Sequence, residues 1–211
     1  ILLMGGGTFL VFLFLHWIFL EDKNYGLRGE CYIASKGVWF FAVVSILLAV
    51  LVWFALSSNP LMAFAAVMGS TAFFIVHGFR QNAEEQERKM MGGTMSDWSK
   101  IFYLEVIDAT FSIDGVLGAF AFTLSVPLII IGSGLGAVVV RQITISNVDR
   151  IKRYLFLKNG AMYSILVLGA IMILDSFGFN IPAWLSPIVT FGIVGFFYAK
   201  SLRNMPPAEV V

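Results

Sequence analysis

Cysteine, histidine and charge are all scarce in this sequence: it holds one Cys and two His, and Asp, Glu, Lys and Arg together make up 13% of its 211 residues. The single Cys31 excludes an intramolecular disulfide and a thiolate-built metal centre. A soluble domain is about a quarter charged, so the shortage of charge argues against an ordinary globular enzyme, a disordered chain and a nucleic-acid binder. No Lys or Arg precedes Lys23, and the first twenty residues lack a small-residue cleavage site, so they do not read as a signal peptide. Net charge, at +1, points to no partner. What the sequence does hold is oil: 59% of it is hydrophobic, with mean hydropathy +0.87. That composition is that of a membrane protein, with the bilayer as its first partner.

Each bilayer crossing takes about 20 apolar residues. Seven stretches qualify: 1–20, 37–56, 60–79, 101–123, 126–145, 160–177 and 182–200, designated spans A to G. They form one transmembrane domain over 1–211, with a polar linker at 80–100 in which Glu84 and Arg88, and Glu85 and Lys89, are spaced for a solvated helix. Asn59 before Pro60 reads as an N-cap followed by the first helical residue, where the missing N–H costs nothing. Asn180 with Pro182, and Ser125 with Pro127, read similarly. Pro187 implies a kink in span G or a late start at Ser186 after Trp184, and the kink is the reading taken here.

Seven crossings place all fourteen Lys and Arg on one face and none on the other. Basic residues are retained in the cytoplasm during insertion, so the expected topology has the C-terminus cytoplasmic and the N-terminus outside. Gly7-Thr8-Phe9-Leu10 in span A is faintly similar to Gly160-Ala161-Met162-Tyr163 opening span F. The two spans run in opposite directions, which suggests the inverted repeat that many transporters use. Ile1–Leu20 reads as a span inherited from a longer chain.

Span D carries the chemistry. It reads IFYLEVIDATFSIDGVLGAFAFT and contains Glu105, Asp108 and Asp114. A centred Asp costs about 2.5–3.5 kcal/mol on insertion scales, so the acids must be protonated, paired, hydrated or metal-bound. No Lys or Arg stands inside the run to neutralise them. At about 100° per residue, Glu105, Asp108 and Ser112 share one stripe of a helix. Asp114 falls opposite and joins them if the helix unwinds before Gly115 and Gly118. Such a break is how transporters expose backbone to ions. Carboxylate and hydroxyl oxygens suit hard cations such as manganese, magnesium or calcium. The bland alternative is protonated acids hydrogen-bonded between helices.

Secondary candidates have quieter readings. His16 and His77 lie near the cytoplasmic ends of spans A and C and read as interfacial, with a proton relay or ligand role as the alternative. Asp175 reads as an interfacial acid at the outer end of span F. Gly132-Ser133-Gly134-Leu135-Gly136 gives a G-x-x-x-G pair suited to close packing of span E on span D. Ser70 and Thr71 read as hydrogen-bonding hydroxyls, and Arg141 as a snorkelling cation. An enzyme is not expected: G-x-S-x-G is absent, and Asp108 and Asp114 share one span where a shared-proton acid pair comes from facing helices.

The run from Leu104 through Glu105, Asp108, Ser112, Asp114 and Gly115 to Ala121 resembles the second acidic motif of the TerC family of integral membrane proteins, in the branch ending Asp-Gly. The likeness continues through Gly136-Ala137-Val138-Val139-Val140-Arg141 and Asn159-Gly160-Ala161-Met162-Tyr163. It extends more loosely back to Gly69-Ser70-Thr71 and Asn82-Ala83-Glu84-Glu85. That family is similar to LysE-like exporters and is linked to manganese efflux and tellurium resistance. The resemblance implies that Glu105, Asp108, Ser112 and Asp114 line a cation path. It also implies a companion acidic motif two crossings upstream of span A, so the chain resembles a member lacking its first two spans.

The sequence therefore predicts an all-α polytopic bundle of seven transmembrane helices, a remnant of an inverted-repeat transporter fold, in a bacterial plasma membrane. The expected function is transport of a divalent cation, manganese-like and outward. No resident cofactor is expected, and the cation is the substrate. A missing N-terminal segment or a second copy would complete the site. The competing reading is a non-transporting scaffold that anchors tellurium or stress-response partners through 80–100.

Overall fold

The computed structural model describes residues 1–21, 23–27, 29–90, 119, 123, 125–152, 154–182 and 184–204, with backbone only for 80–90, 140–141 and 143–152. The described residues form helices α1 (Leu2–Leu20), α2 (Glu30–Ala34), α3 (Phe40–Ser58), α4 (Pro60–Met90), α5 (Val126–Lys152), α6 (Leu157–Ser176) and α7 (Leu185–Arg203), with a 3-10 turn at Gly37–Trp39 and no strand among them. Among the described residues, five stretches are long and apolar enough to cross a membrane: Leu2–Leu20, Gly37–Ser58, Pro60–Phe79, Leu157–Ser176 and Leu185–Arg203. The protein is thus an all-helical, multi-pass membrane protein. The five match spans A, B, C, F and G. Span D, apart from residues 119 and 123, lies outside the described residues, and the apolar part of α5 is the shorter Val126–Val139.

The five spanning helices pack in the spatial order α3, α4, α1, α6, α7. Helix α1 holds the centre: 67% of its apolar window is buried, against 17% for α7. Glycine sets how closely its neighbours approach. A Cβ on Gly69 of α4 would sit 2.1 Å from the Gly5 carbonyl oxygen, and one on Gly7 would sit 2.8 Å from the Gly169 oxygen of α6. In lipid, where burial of apolar surface gives no drive, such backbone approach is what joins helices. Aromatic edges fill the α1–α4 seam, with Phe9 and Phe12 both edge-on to Phe73.

These contacts fix directions. Helix α1 runs parallel to α4 and antiparallel to α6, because Gly5 meets Gly69 while Gly7 meets Gly169 and Trp17 meets Tyr163. Lys23, Lys36, Lys158, Lys200 and Arg203 consequently lie at one end of the bundle. No Lys or Arg occurs in the opposite turns, 57–62 and 174–185. The charge partition expected from sequence is therefore a geometric fact for these five spans.

Local signals had mixed success. Asn59 caps α4 as expected, its Oδ1 accepting the Leu61 N–H at 2.9 Å. Helix α5 starts at Val126, directly after Ser125. The reading at Asn180 is corrected. Gly178 (φ +88°) and Asn180 (φ +47°) turn the chain out of α6, and Asn180 Nδ2 donates to the Gly178 carbonyl instead of capping a helix. The kink at Pro187 is likewise corrected: α7 begins at Leu185 after Trp184, so Pro187 sits in the first turn, where its missing N–H breaks no helical bond. The linker 80–100 begins as an extension of α4, which continues unbroken to Met90.

Candidate functional site

Glu105, Asp108, Ser112 and Asp114 lie outside the described residues, as does the Arg141 side chain. Of the secondary candidates, His16 and His77 come together across the α1–α4 seam with ring centroids 4.0 Å apart, and His77 also stacks on Phe73. Thr71 Oγ1 donates to the Val67 carbonyl, so of the hydrogen bonds open to this hydroxyl it makes one within α4. Asp175 is tied locally, its Oδ1 accepting the Ile181 N–H at 3.3 Å, and so braces the turn after α6. Gly132, Gly134 and Gly136 meet nothing within 4 Å among the described residues, and no described helix packs extensively on α5. The expected seam between spans E and D falls outside the description.

The structure reveals a polar centre that the sequence reading missed. Glu30, in the short connection between α1 and α3, is 1% exposed. Its Oε2 accepts the Gly26 N–H at 2.6 Å and the Asn159 amide at 3.1 Å, and its Oε1 accepts the Tyr163 hydroxyl at 2.9 Å. Asn159 opens α6 and is itself 1% exposed; the same amide reaches the Asn24 carbonyl at 3.0 Å. A buried acid is tolerable only when donors replace its lost water, and here three do. Tyr163 is held in turn by stacking on Phe197 of α7, with centroids 5.3 Å apart.

Lysines close the surroundings. Lys23 Nζ donates to the Trp17 and Ile18 carbonyls at 2.9 and 2.5 Å and lies 4.4 Å from the centroid of the Trp17 ring. Burial pushes its ammonium below the usual lysine range, partly offset by the nearby charges of Glu30 and Glu21. Lys200 Nζ donates to the Gly26 carbonyl, and Lys158 pairs with Glu21 at 2.5 Å. The 21–36 connection is thereby fastened across the basic ends of α1, α6 and α7. With three donors fixed on its two oxygens, Glu30 acts as a latch between the connection and α6. No group of three or more His, Cys, Asp or Glu gathers as a metal cage among the described residues.

One signal pointed to this centre: Asn159 and Tyr163 stand in a stretch that the sequence singled out, four apart and so on one helix face. Glu30 had none, because an acid in a polar connection is ordinarily solvated. Farther along the α6–α7 seam, the buried hydroxyl oxygens of Ser186 and Thr190, one turn apart, have no hydrogen-bond partner among the described residues.

No curated protein and no solved structure matches this chain. The family described as DUF475, protein of unknown function, matches residues 3–205, and this chain belongs to that family.

Proposed function

We propose that the protein moves a divalent metal cation, manganese-like in its preference for oxygen ligands, out of the cell across the bacterial plasma membrane. The observation that carries this reading is the run 101–123, where Glu105, Asp108 and Asp114 stand in an apolar stretch with no Lys or Arg. A mobile cation is the counter-charge that such acids lack. The bundle supports it: five helices can cross a membrane, and the described basic residues gather at one end, away from the membrane interior.

In this reading span D and α5 complete seven crossings, and the basic end faces the cytoplasm. Asp108 and Asp114, about 9 Å apart at 1.5 Å per residue, form successive steps from that face toward the middle of the membrane, with Ser112 adding a hydroxyl ligand. The antiparallel packing of α1 on α6 suits an inverted repeat, in which two halves rock about a central site. The resemblance to TerC proteins is the basis for manganese as the first ion to test.

The test is Asp114→Asn in cells or vesicles loaded with manganese. Extrusion is expected to fall to background at unchanged protein level, with Asp108→Asn behaving alike. Extrusion that persists in both variants overturns the reading.

A further inference from the structure

A cavity of about 430 Å³ opens at the basic end of α7, lined by Phe196, Ala199, Lys200, Arg203 and Asn204. We propose that it is a binding site for the headgroup of an anionic phospholipid, with the phosphodiester between Lys200 and Arg203. The site stands whether or not the protein carries a cation, since it requires only that α7 cross a membrane.

Its position is the first argument. The lining residues fall at spacings of three and four along the last turns of a spanning helix, so one stripe of α7 runs from apolar to cationic at the depth where headgroups lie. Phe196, one turn before Lys200 on that stripe, is 57% exposed, which gives an acyl chain an apolar flank beside the charged mouth.

Charge is the second argument. Among the described residues, two cations line the cavity and no carboxylate does. Lys200 is held in place by donating to the Gly26 carbonyl and by lying 5.6 Å from the centroid of the Phe156 ring. Neither partner carries a negative charge, so the ammonium is fixed without a carboxylate bonded to it. Arg203 is exposed, and its planar fork suits the paired oxygens of a phosphate. Lys23 and Lys158 at the same end are differently placed: one is folded over Trp17 and the other is paired with Glu21.

A helix C-terminus repels anions through its free carbonyls, and that effect has to be met. Asn204 meets it in part. Its side-chain amide donates to the Lys200 carbonyl at 3.1 Å and its N–H donates to the Ser201 carbonyl at 3.2 Å, so two of the last carbonyls are occupied. Two full positive charges then outweigh the remaining half-charge of the helix end. A zwitterionic headgroup would bring its own ammonium beside Lys200 and Arg203 and is disfavoured.

The experiment titrates the full-length protein in detergent with phosphatidylglycerol, phosphatidylcholine and inorganic phosphate, reading bound lipid by native mass spectrometry. Phosphatidylglycerol is expected to bind in preference to phosphatidylcholine. Arg203→Gln should weaken it about fivefold, the loss of one basic contact near a membrane surface, and Arg203→Lys should largely restore it. Lys36→Gln removes the same charge from the same end of the bundle but outside the cavity, and should leave binding unchanged. Equal binding of the two lipids, or equal weakening by Lys36→Gln, overturns the site in favour of a diffuse basic surface. Binding of inorganic phosphate that displaces phosphatidylglycerol overturns the lipid as occupant.

Discussion

The hydroxyl of Tyr163 donates to Oε1 of Glu30 at 2.9 Å, joining residues 133 positions apart in the chain. Through this bond and the Asn159 amide, a five-residue helix in a polar connection is pinned to the base of α6. Because Tyr163 also stacks on Phe197, the same bond couples the connection to α7. The basic end of the bundle thus carries a buried polar joint, while the described connections at the opposite end, 57–62 and 174–185, are short turns.

Removing the acceptor should open that joint. Glu30→Ala leaves the Gly26 N–H, the Asn159 amide and the Tyr163 hydroxyl without their shared partner, and each buried donor left unpaired costs about 1–3 kcal/mol. A lowered melting temperature and new protease cleavage within 21–36 are the expected results. Tyr163→Phe removes one bond and should have a smaller effect of the same kind. A Glu30→Ala protein as stable and as protease-resistant as the parent would show that the joint is held elsewhere.

Gly69→Ala should be among the most damaging conservative changes in the membrane interior. The added methyl would sit 2.1 Å from the Gly5 oxygen, so α1 and α4 must part, and overpacking of this kind costs about 1–3 kcal/mol or more. Gly192→Ala on α7, where a Cβ meets nothing within 4 Å among the described residues, is the matched control. Thermal unfolding of the two variants in one detergent makes the comparison, and equal melting temperatures would refute the close crossing.

The ion pair of Glu21 and Lys158, although short at 2.5 Å, should contribute little. Their side chains are 28% and 60% exposed, and pairs so wetted are worth about 0–1 kcal/mol and are screened by salt. A double-mutant cycle with Glu21→Gln and Lys158→Gln is expected to give a coupling below about 1 kcal/mol that fades as salt rises. A larger, salt-insensitive coupling would place the pair in a drier setting than its exposure implies.

Lys23 gives the fold a pH dependence of defined sign. Its folded pKa lies below the unfolded value of 10.5, with burial as the main cause. Below the folded pKa the ammonium is charged in both states and its desolvation opposes folding in full. Between the folded pKa and 10.5 the unfolded chain binds the extra proton, so stability contributed by this residue rises with pH across that window. Unfolding measured from pH 8 to 10.5 should show this upward contribution in the parent and lose it in Lys23→Gln. A slope unchanged by the substitution would assign it to other groups.

Much of the architecture was legible from hydropathy and capping chemistry, because both act over a few residues. Asn59 caps α4 through its own side chain, and the five described spans begin and end within a few residues of their apolar runs. Asn180 and Pro187 misled for a tertiary reason: the chain leaves α6 through a left-handed turn at Gly178, which consumes Asn180 and delays α7 to Leu185. The acids of 101–123 remain a sequence argument, since those residues lie outside the description. The Glu30 centre was invisible, because nothing local distinguishes an acid that will be buried from one left in water.

By itself the sequence determined that this chain lives in a bilayer, where its five described spans fall and that their flanking basic residues belong at one end, since all three follow from the transfer cost of individual side chains. Only the tertiary structure decided which helix is central, that Gly5 meets Gly69, that His16 meets His77 and that Glu30 is sealed by Asn159 and Tyr163. Those pairings depend on which surfaces can approach closely enough to replace water or lipid. That is a property of two distant segments at once, and no single stretch of sequence carries it.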